Sequence, residues 1–242
     1  MKINEIIKNR FHLLAEKHYL PKCSNASPGT KEWLIGTEIK YGGIQTKVPR
    51  RKVSLKDPRS KDQLLCGGMI GGDRMLHHKY AAKYSEYLLP YVTKGEPLVL
   101  AEFGILTGIG LAIWCDLFKS NRVLGFDIDL SHINDNMENL LKLGAFNGTK
   151  PELLEFDQFV DNTEYLSTIL KGDLIDICID DGFHSVESIL TTLKSVMPYL
   201  ADNAVYFIED NKYVHKEIRA LYPNLKVDRV RDLTIVSKLG RS

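Results

Sequence analysis

Apolar residues in the second half of the chain fall into short continuous runs that alternate with stretches of helical spacing. Leu174–Ile179 is such a run, rich in β-branched residues, and predicts a buried parallel strand that stops at Asp180, Asp181 and Gly182. From Val186 the apolar positions Ile189, Leu190, Leu193, Val196, Met197 and Leu200 recur as on one face of a helix. Ala201-Asp202-Asn203 then predicts a turn, and Ala204–Ile208 the next strand, which ends in Glu209 and Asp210. The same alternation runs upstream, with strands over 97–103, 123–127 and 153–156 and helices over 108–117, 131–143 and 163–170. Downstream come a helix over 214–221 and two strands, 225–230 and 233–238. Their link, Arg231-Asp232, is short enough to require an antiparallel hairpin.

These elements predict an α/β fold, Rossmann-like, with a mostly parallel seven-stranded sheet, a reversed C-terminal strand and helices on both faces. The pattern is weaker before it. Residues 2–18 predict a helix with an apolar stripe through Ile3, Ile6, Ile7, Phe11, Leu13 and Leu14. Residues 21–61 show little periodicity and read as a long loop or lid, and 67–72 breaks the chain before a helix holding His77, His78, Tyr80, Tyr84 and Tyr87. Residues 1–70 thus read as an extension serving as lid or oligomerisation element, and 71–242 as the main domain.

Composition narrows the classes. The 242 residues are 44% hydrophobic and 26% charged with a formal charge of +1, so no global field marks a nucleic-acid or membrane binder. Positive charge is concentrated locally in Lys47, Arg50, Arg51, Lys52, Lys56, Arg59 and Lys61, either a solvated loop or a place for substrate phosphate. No apolar run approaches the roughly 20 residues that span a bilayer, and the N-terminus reads as neither signal peptide nor anchor. Cys23, Cys66, Cys115 and Cys178 are scattered, which suits a cytoplasmic protein without a zinc site or disulfide framework.

If the strands ending at Asp180 and Ile208 are neighbours, Asp181, Glu209 and Asp210 converge at their carboxyl ends, where open α/β sheets bind ligands. Such crowded acids suit Mg²⁺ or a similar hard cation, with His184 beside it as a candidate general base. The alternative is that Asp181 caps the following helix and the other two acids are solvated. A second cluster follows the first strand in A-E-F-G-I-L-T-G-I-G, placing Glu102, Gly104 and Gly108 across a strand-to-helix turn. The acid ahead of the first glycine disfavours a diphosphate and suits a ligand with positive charge. Asp127 ends the second strand where a carboxylate can accept both ribose hydroxyls, and Asp157-Gln158 ends the third, where adenine could be read. Ribose and adenine partners without a phosphate clamp fit S-adenosylmethionine.

The strings E-F-G-I-L-T-G-I-G-L-A-I-W, G-F-D-I-D, F-D-Q, I-D-D-G-F-H and Y-F-I-E-D together resemble the metal-dependent sugar O-methyltransferases of the class I methyltransferases, over about 71–210. The resemblance implies that Asp181, Glu209 and Asp210 bind Mg²⁺ and that Asp181 and His184 act at the acceptor hydroxyl, His184 as base. It implies that Glu102, Gly104, Gly108, Asp127, Asp157, Gln158 and Asp180 hold S-adenosylmethionine. Gly71-Gly72-Asp73-Arg74 looks like the family's G-T-D-K segment, which puts Gly72 at the cofactor. Phe183 replaces the usual small residue of D-G-S-H, next to the base. The expected partner is a small-molecule hydroxyl acceptor, a sugar or sugar-containing compound, with no nucleic acid or membrane, in a homo-oligomer. A catechol-type methyltransferase acting on an aromatic diol and a non-catalytic S-adenosylmethionine-binding module are the alternatives.

Overall fold

A computed structural model describes residues 17–44 and 72–238. The expected helix over 2–18 lies mostly outside these residues, which are helical over 17–23; the basic stretch 47–61, Cys66 and Gly71 lie wholly outside them. The chain divides into two compact units, one helical, drawn from Met1–Glu96, Thr107–Phe118 and His132–Asn147, and one built on a sheet, drawn from Pro97–Leu106, Lys119–Ser131 and Gly148–Ser242. Among the described residues no helix is long and apolar enough to cross a membrane. Cys23, Cys115 and Cys178 are buried, and none forms a disulfide among the described residues.

The helical unit holds α1 (Lys31–Gly42), α2 (Ala81–Lys94), α3 (Ile109–Leu117) and nearly all of α4 (Ser131–Lys142). α1 corrects the expectation of a loop over 21–61. Its N-cap Thr30 accepts from Trp33 N at 3.4 Å, and Gly43, at φ 70°, ends it by donating to Ile39 O. Its polar residues Thr37 and Glu38 are buried together with Leu34, Ile35, Ile39 and Tyr41, so no polar stripe betrays it in the sequence. Glu38 is satisfied by Met75 N at 2.7 Å and Leu76 N at 2.9 Å. Burial outweighs those bonds and raises its pKa from 4.5 to about 7. α2 begins at Ala81, so His77 and His78 lie in the preceding turns and not on the helix. Arg74 is buried with its guanidinium 5.4 Å from the centre of the Trp114 ring, which stacks on Tyr84. Gly108 caps α3 at φ 81°, and a Cβ there would lie 2.6 Å from Ile133 Cδ1.

The sheet unit carries β1 (Val99–Phe103), β2 (Arg122–Asp127), β3 (Glu152–Glu155), β4 (Ile175–Asp180), β5 (Leu200–Ile208), β6 (Leu225–Val230) and β7 (Leu233–Lys238) in the spatial order β3-β2-β1-β4-β5-β7-β6. All neighbouring pairs are parallel except those of β7, which runs antiparallel to both β5 and β6. The reversal follows from the two-residue hairpin, with Arg231 at φ 57° taking the left-handed position. The expected turn over 201–203 is absorbed into β5: partners pass from Ile175↔Leu200 to Ile177↔Val205, and Asp202 and Asn203 are left exposed.

α5 (Thr163–Leu170), α6 (Val186–Val196) and α7 (Val214–Leu221) place Leu166, Leu170, Ile189, Leu193, Val214 and Ile218 in one core with Val99, Ala101, Phe103, Phe126, Cys178, Tyr206 and Val236. The alternate positions Leu100, Ile177, Ile179 and Phe207 are also buried, as the continuous apolar runs require. Phe103, Phe126 and Phe156 pack with ring centres 4.7 to 5.4 Å apart at the carboxyl ends of the first three strands. They give the loops beyond them a rigid floor. Chain order runs outward through β2 and β3 and returns to β4, so the topological switch lies between β1 and β4.

Candidate functional site

The exits of β1, β4 and β5 are drawn together beside that switch. Asp181 N donates to Phe103 O at 2.8 Å and Glu209 N to Asp180 O at 2.9 Å, so the ladders run one residue past the strands. Gly104 stands at φ 87°, and a Cβ there would lie 2.3 Å from Asp181 O and 2.4 Å from Gly182 Cα. The backbone that needs this glycine is the chain's own, brought in from β4.

Asp181, His184 and Asp210 each offer one ligand atom within 4.8 Å of the others. Ligands facing one another across a Mg²⁺ ion are about 4.2 Å apart, so a small closure of the side chains would seat an ion. The two carboxylates suit a hard divalent cation with open positions for water or substrate oxygen, and the imidazole beside them can accept a proton. His184 Nε2 stands 3.8 Å from Asp181 Oδ1, an ion-pair distance but too long for a hydrogen bond. Its Nδ1 is buried and finds no hydrogen-bond partner among the described residues. His184 and Asp210 both take left-handed backbone conformations, φ 65° and 54°. Strain of this kind gathers at sites where the surroundings over-determine a residue. Glu209 is buried and stands outside the group of three.

Asn211, outside the residues expected at the site, holds the two loops together. Its Nδ2 donates to His184 O at 2.8 Å, and its Oδ1 accepts from Tyr213 N and Val214 N, both at 2.8 Å, capping α7. An asparagine shortly before an amphipathic stretch was the signal available.

Asp180 and Gln158, both expected at the cofactor, are hydrogen-bonded to one another. Asp180 is buried and points inward, where Oδ1 accepts from Gln158 Nε2 at 2.8 Å and Oδ2 from the Tyr206 hydroxyl at 3.1 Å. Burial pushes its carboxyl above the ordinary range despite these bonds. Tyr206 and Cys178, equally buried, are pushed up for the same reason. Gln158 is also buried, with Nε2 donating to both Asp180 and Thr192 Oγ1 (3.1 Å) and Oε1 accepting from Phe183 N at 2.8 Å.

The remaining candidates of the sheet unit sit at strand ends. Asp127 is half-buried, taking Leu106 N at 2.9 Å on Oδ2 and Asp129 N at 3.1 Å on Oδ1. Asp157 is half-buried and accepts from Phe159 N at 2.9 Å. Glu102 is buried within β1. Phe183 meets Phe159 edge to face, with ring centres 4.9 Å apart. Gly72 (φ 83°) and Gly108 belong to the helical unit.

No protein-family model matches the sequence, and no curated protein matches it. Among solved structures, a Klebsiella pneumoniae protein provisionally described as an O-methyltransferase is similar over 94% of this chain and 97% of its own, at 12% identity and a TM-score of 0.52. The fold is that of the class I methyltransferases. The MycE methyltransferase of mycinamycin biosynthesis, solved with Mg, S-adenosylhomocysteine and mycinamycin VI, covers 85% of this chain and 71% of its own at 16% identity and a TM-score of 0.49. A TDP-rhamnose 3'-O-methyltransferase of calicheamicin biosynthesis, CalS11, covers 76% and 89% respectively at 15% identity and a TM-score of 0.49.

Proposed function

We propose that this chain is an S-adenosylmethionine-dependent O-methyltransferase that uses Mg²⁺ or a similar divalent cation and acts on a hydroxyl of a sugar or sugar-containing small molecule. The carrying observation is that Asp181, His184 and Asp210, from two separate loops, come within 4.8 Å of one another at the carboxyl ends of β4 and β5.

In this reading Asp181 and Asp210 would hold the cation, with Glu209 beside them, and Asp127 and Asp157 would receive the ribose and adenine of S-adenosylmethionine near Glu102 and Gly104. A bound divalent cation lowers the pKa of a coordinated hydroxyl. Bound S-adenosylmethionine carries a methyl group already activated by its sulfonium. His184 takes the proton of the acceptor hydroxyl at a ring nitrogen, and Asp181 steadies the resulting imidazolium. Asn211 and the ladder bonds beyond β4 and β5 hold these side chains in place, so rate comes largely from orientation.

The Phe159–Phe183 pair favours a second acceptor class, because an edge-to-face aromatic pair whose Phe183 directly precedes His184 suits a flat aromatic diol. Incubation with methyl-labelled S-adenosylmethionine, Mg²⁺ and a panel of sugars, nucleotide sugars and catechols separates the two. Label in a sugar supports the first reading and label in a catechol the second. Cofactor binding without transfer to any acceptor class would favour a non-catalytic module.

A further inference from the structure

Resting on the reading of Asp181 and Asp210 as cation ligands, we infer that Gln158 is a positioning residue for that cation site and makes no contact with the cofactor's adenine. The residue lies just past the exit of β3, beside Asp157. That place suggests a base-reading amide, but its hydrogen bonds point elsewhere. A backbone N–H can only donate, so the bond from Phe183 N fixes which end of the amide is the carbonyl. The Nε2 end then spends both of its protons inside the chain, one on Asp180 Oδ1 at 2.8 Å and one on Thr192 Oγ1 at 3.1 Å. Thr192 is locked in turn, donating to Ser188 O at 2.9 Å within α6.

These bonds enclose the loop that carries two of the three clustered side chains. Asp180 precedes Asp181, and Phe183 precedes His184. Gln158 grips both flanking residues from one side, and Gly182 between them has no side chain because a Cβ there would lie 2.0 Å from Gln158 Oε1. Asn211 holds the same loop from β5 through His184 O. Two side-chain amides from different strand exits therefore set where Asp181 and His184 stand. The glycine of D-G-F-H serves the fit of Gln158 over the loop.

The consequence is a separation of effects. Outer partners that orient metal ligands typically change metal affinity 10- to 100-fold when removed, whereas a residue that does not touch the nucleoside leaves cofactor affinity nearly unchanged. The test is Mn²⁺ binding, read by electron paramagnetic resonance as loss of the free-ion signal, alongside calorimetric S-adenosylmethionine binding, on wild type, Gln158→Leu and Gln158→Glu. The second variant keeps the shape and the acceptor for Phe183 N but sets a carboxylate against Asp180, so it probes the network if the first fails to fold. Expected for either folded variant is Mn²⁺ affinity lowered roughly 10-fold or more, with S-adenosylmethionine affinity within about threefold. Unchanged Mn²⁺ affinity, or an equal or larger loss of S-adenosylmethionine affinity, would overturn the assignment. A wild-type protein that takes up no Mn²⁺ would remove the metal reading beneath it, an outcome distinct from either.

Discussion

At the scale of single residues, His184 and Glu38 give the sharpest expectations. Replacing His184 by Ala should lower turnover about 10²- to 10⁴-fold, the usual contribution of a general base, while calorimetry finds S-adenosylmethionine affinity preserved. Glu38 makes a different prediction, in stability against pH. Its folded pKa of about 7 lies above the ordinary 4.5, so the folded state binds the proton more tightly than the unfolded one. Stability contributed by this group is therefore full below pH 4.5 and falls as pH rises to about 7, by roughly 3 kcal/mol over the window. Denaturant melts at pH 4.5 and 8 should show that Glu38→Gln removes this part of the fall. Gly104 is constrained by sterics. Gly104→Ala puts a methyl 2.3 Å from Asp181 O at a left-handed φ and should cost roughly 2–5 kcal/mol, read from the same melts. The acids at strand ends were legible in the sequence because a strand's end can be read from where its apolar run stops. What Asp180 and Gln158 do was not, because a side chain's direction past a strand end depends on partners such as Tyr206 and Thr192 that lie far away in the chain.

At the scale of elements, the loops after β4 and β5 stand or fall together. Asn211→Ala leaves His184 O without this donor and the start of α7 uncapped, which should destabilise the protein by about 1–2 kcal/mol. It should also lower turnover at saturating cofactor more than it lowers cofactor affinity, a split that steady-state kinetics and calorimetry can resolve. Elements with strong patterns were predicted nearly to the residue: α5, α7, β6 and β7 have the expected bounds, because apolar spacing and a two-residue turn left little choice. α1 carries no such signal, because Thr37 and Glu38 are buried with its apolar residues and the polar positions that ordinarily mark a solvent face lie inside. The sequence predicts an earlier start for α2 because His77, His78 and Tyr80 continue a helical spacing, whereas the turns over 72–80 make bonds such as His77 N and His78 N to Asp73 O.

At the scale of the whole molecule, the strand order β3-β2-β1-β4-β5-β7-β6 explains why acids so far apart in sequence meet. Parallel strands put every carboxyl end on one edge, and the outward then returning path leaves β4 and β5 adjacent beside the switch point. The parallel order and the reversed hairpin strand were readable from the alternation of runs. The place of β7 between β5 and β6 was not, because a hairpin fixes which strands pair with each other and not which of them meets the rest of the sheet. Everything proposed for the site depends on the acids gathered on that edge holding a cation that the reaction needs. Methyl transfer from labelled S-adenosylmethionine to an accepted hydroxyl, measured before and after treatment with a chelator and again with Mg²⁺ restored, tests it most directly. Turnover should be lost in chelator and recovered with Mg²⁺; undiminished turnover in chelator would contradict a role for the cation.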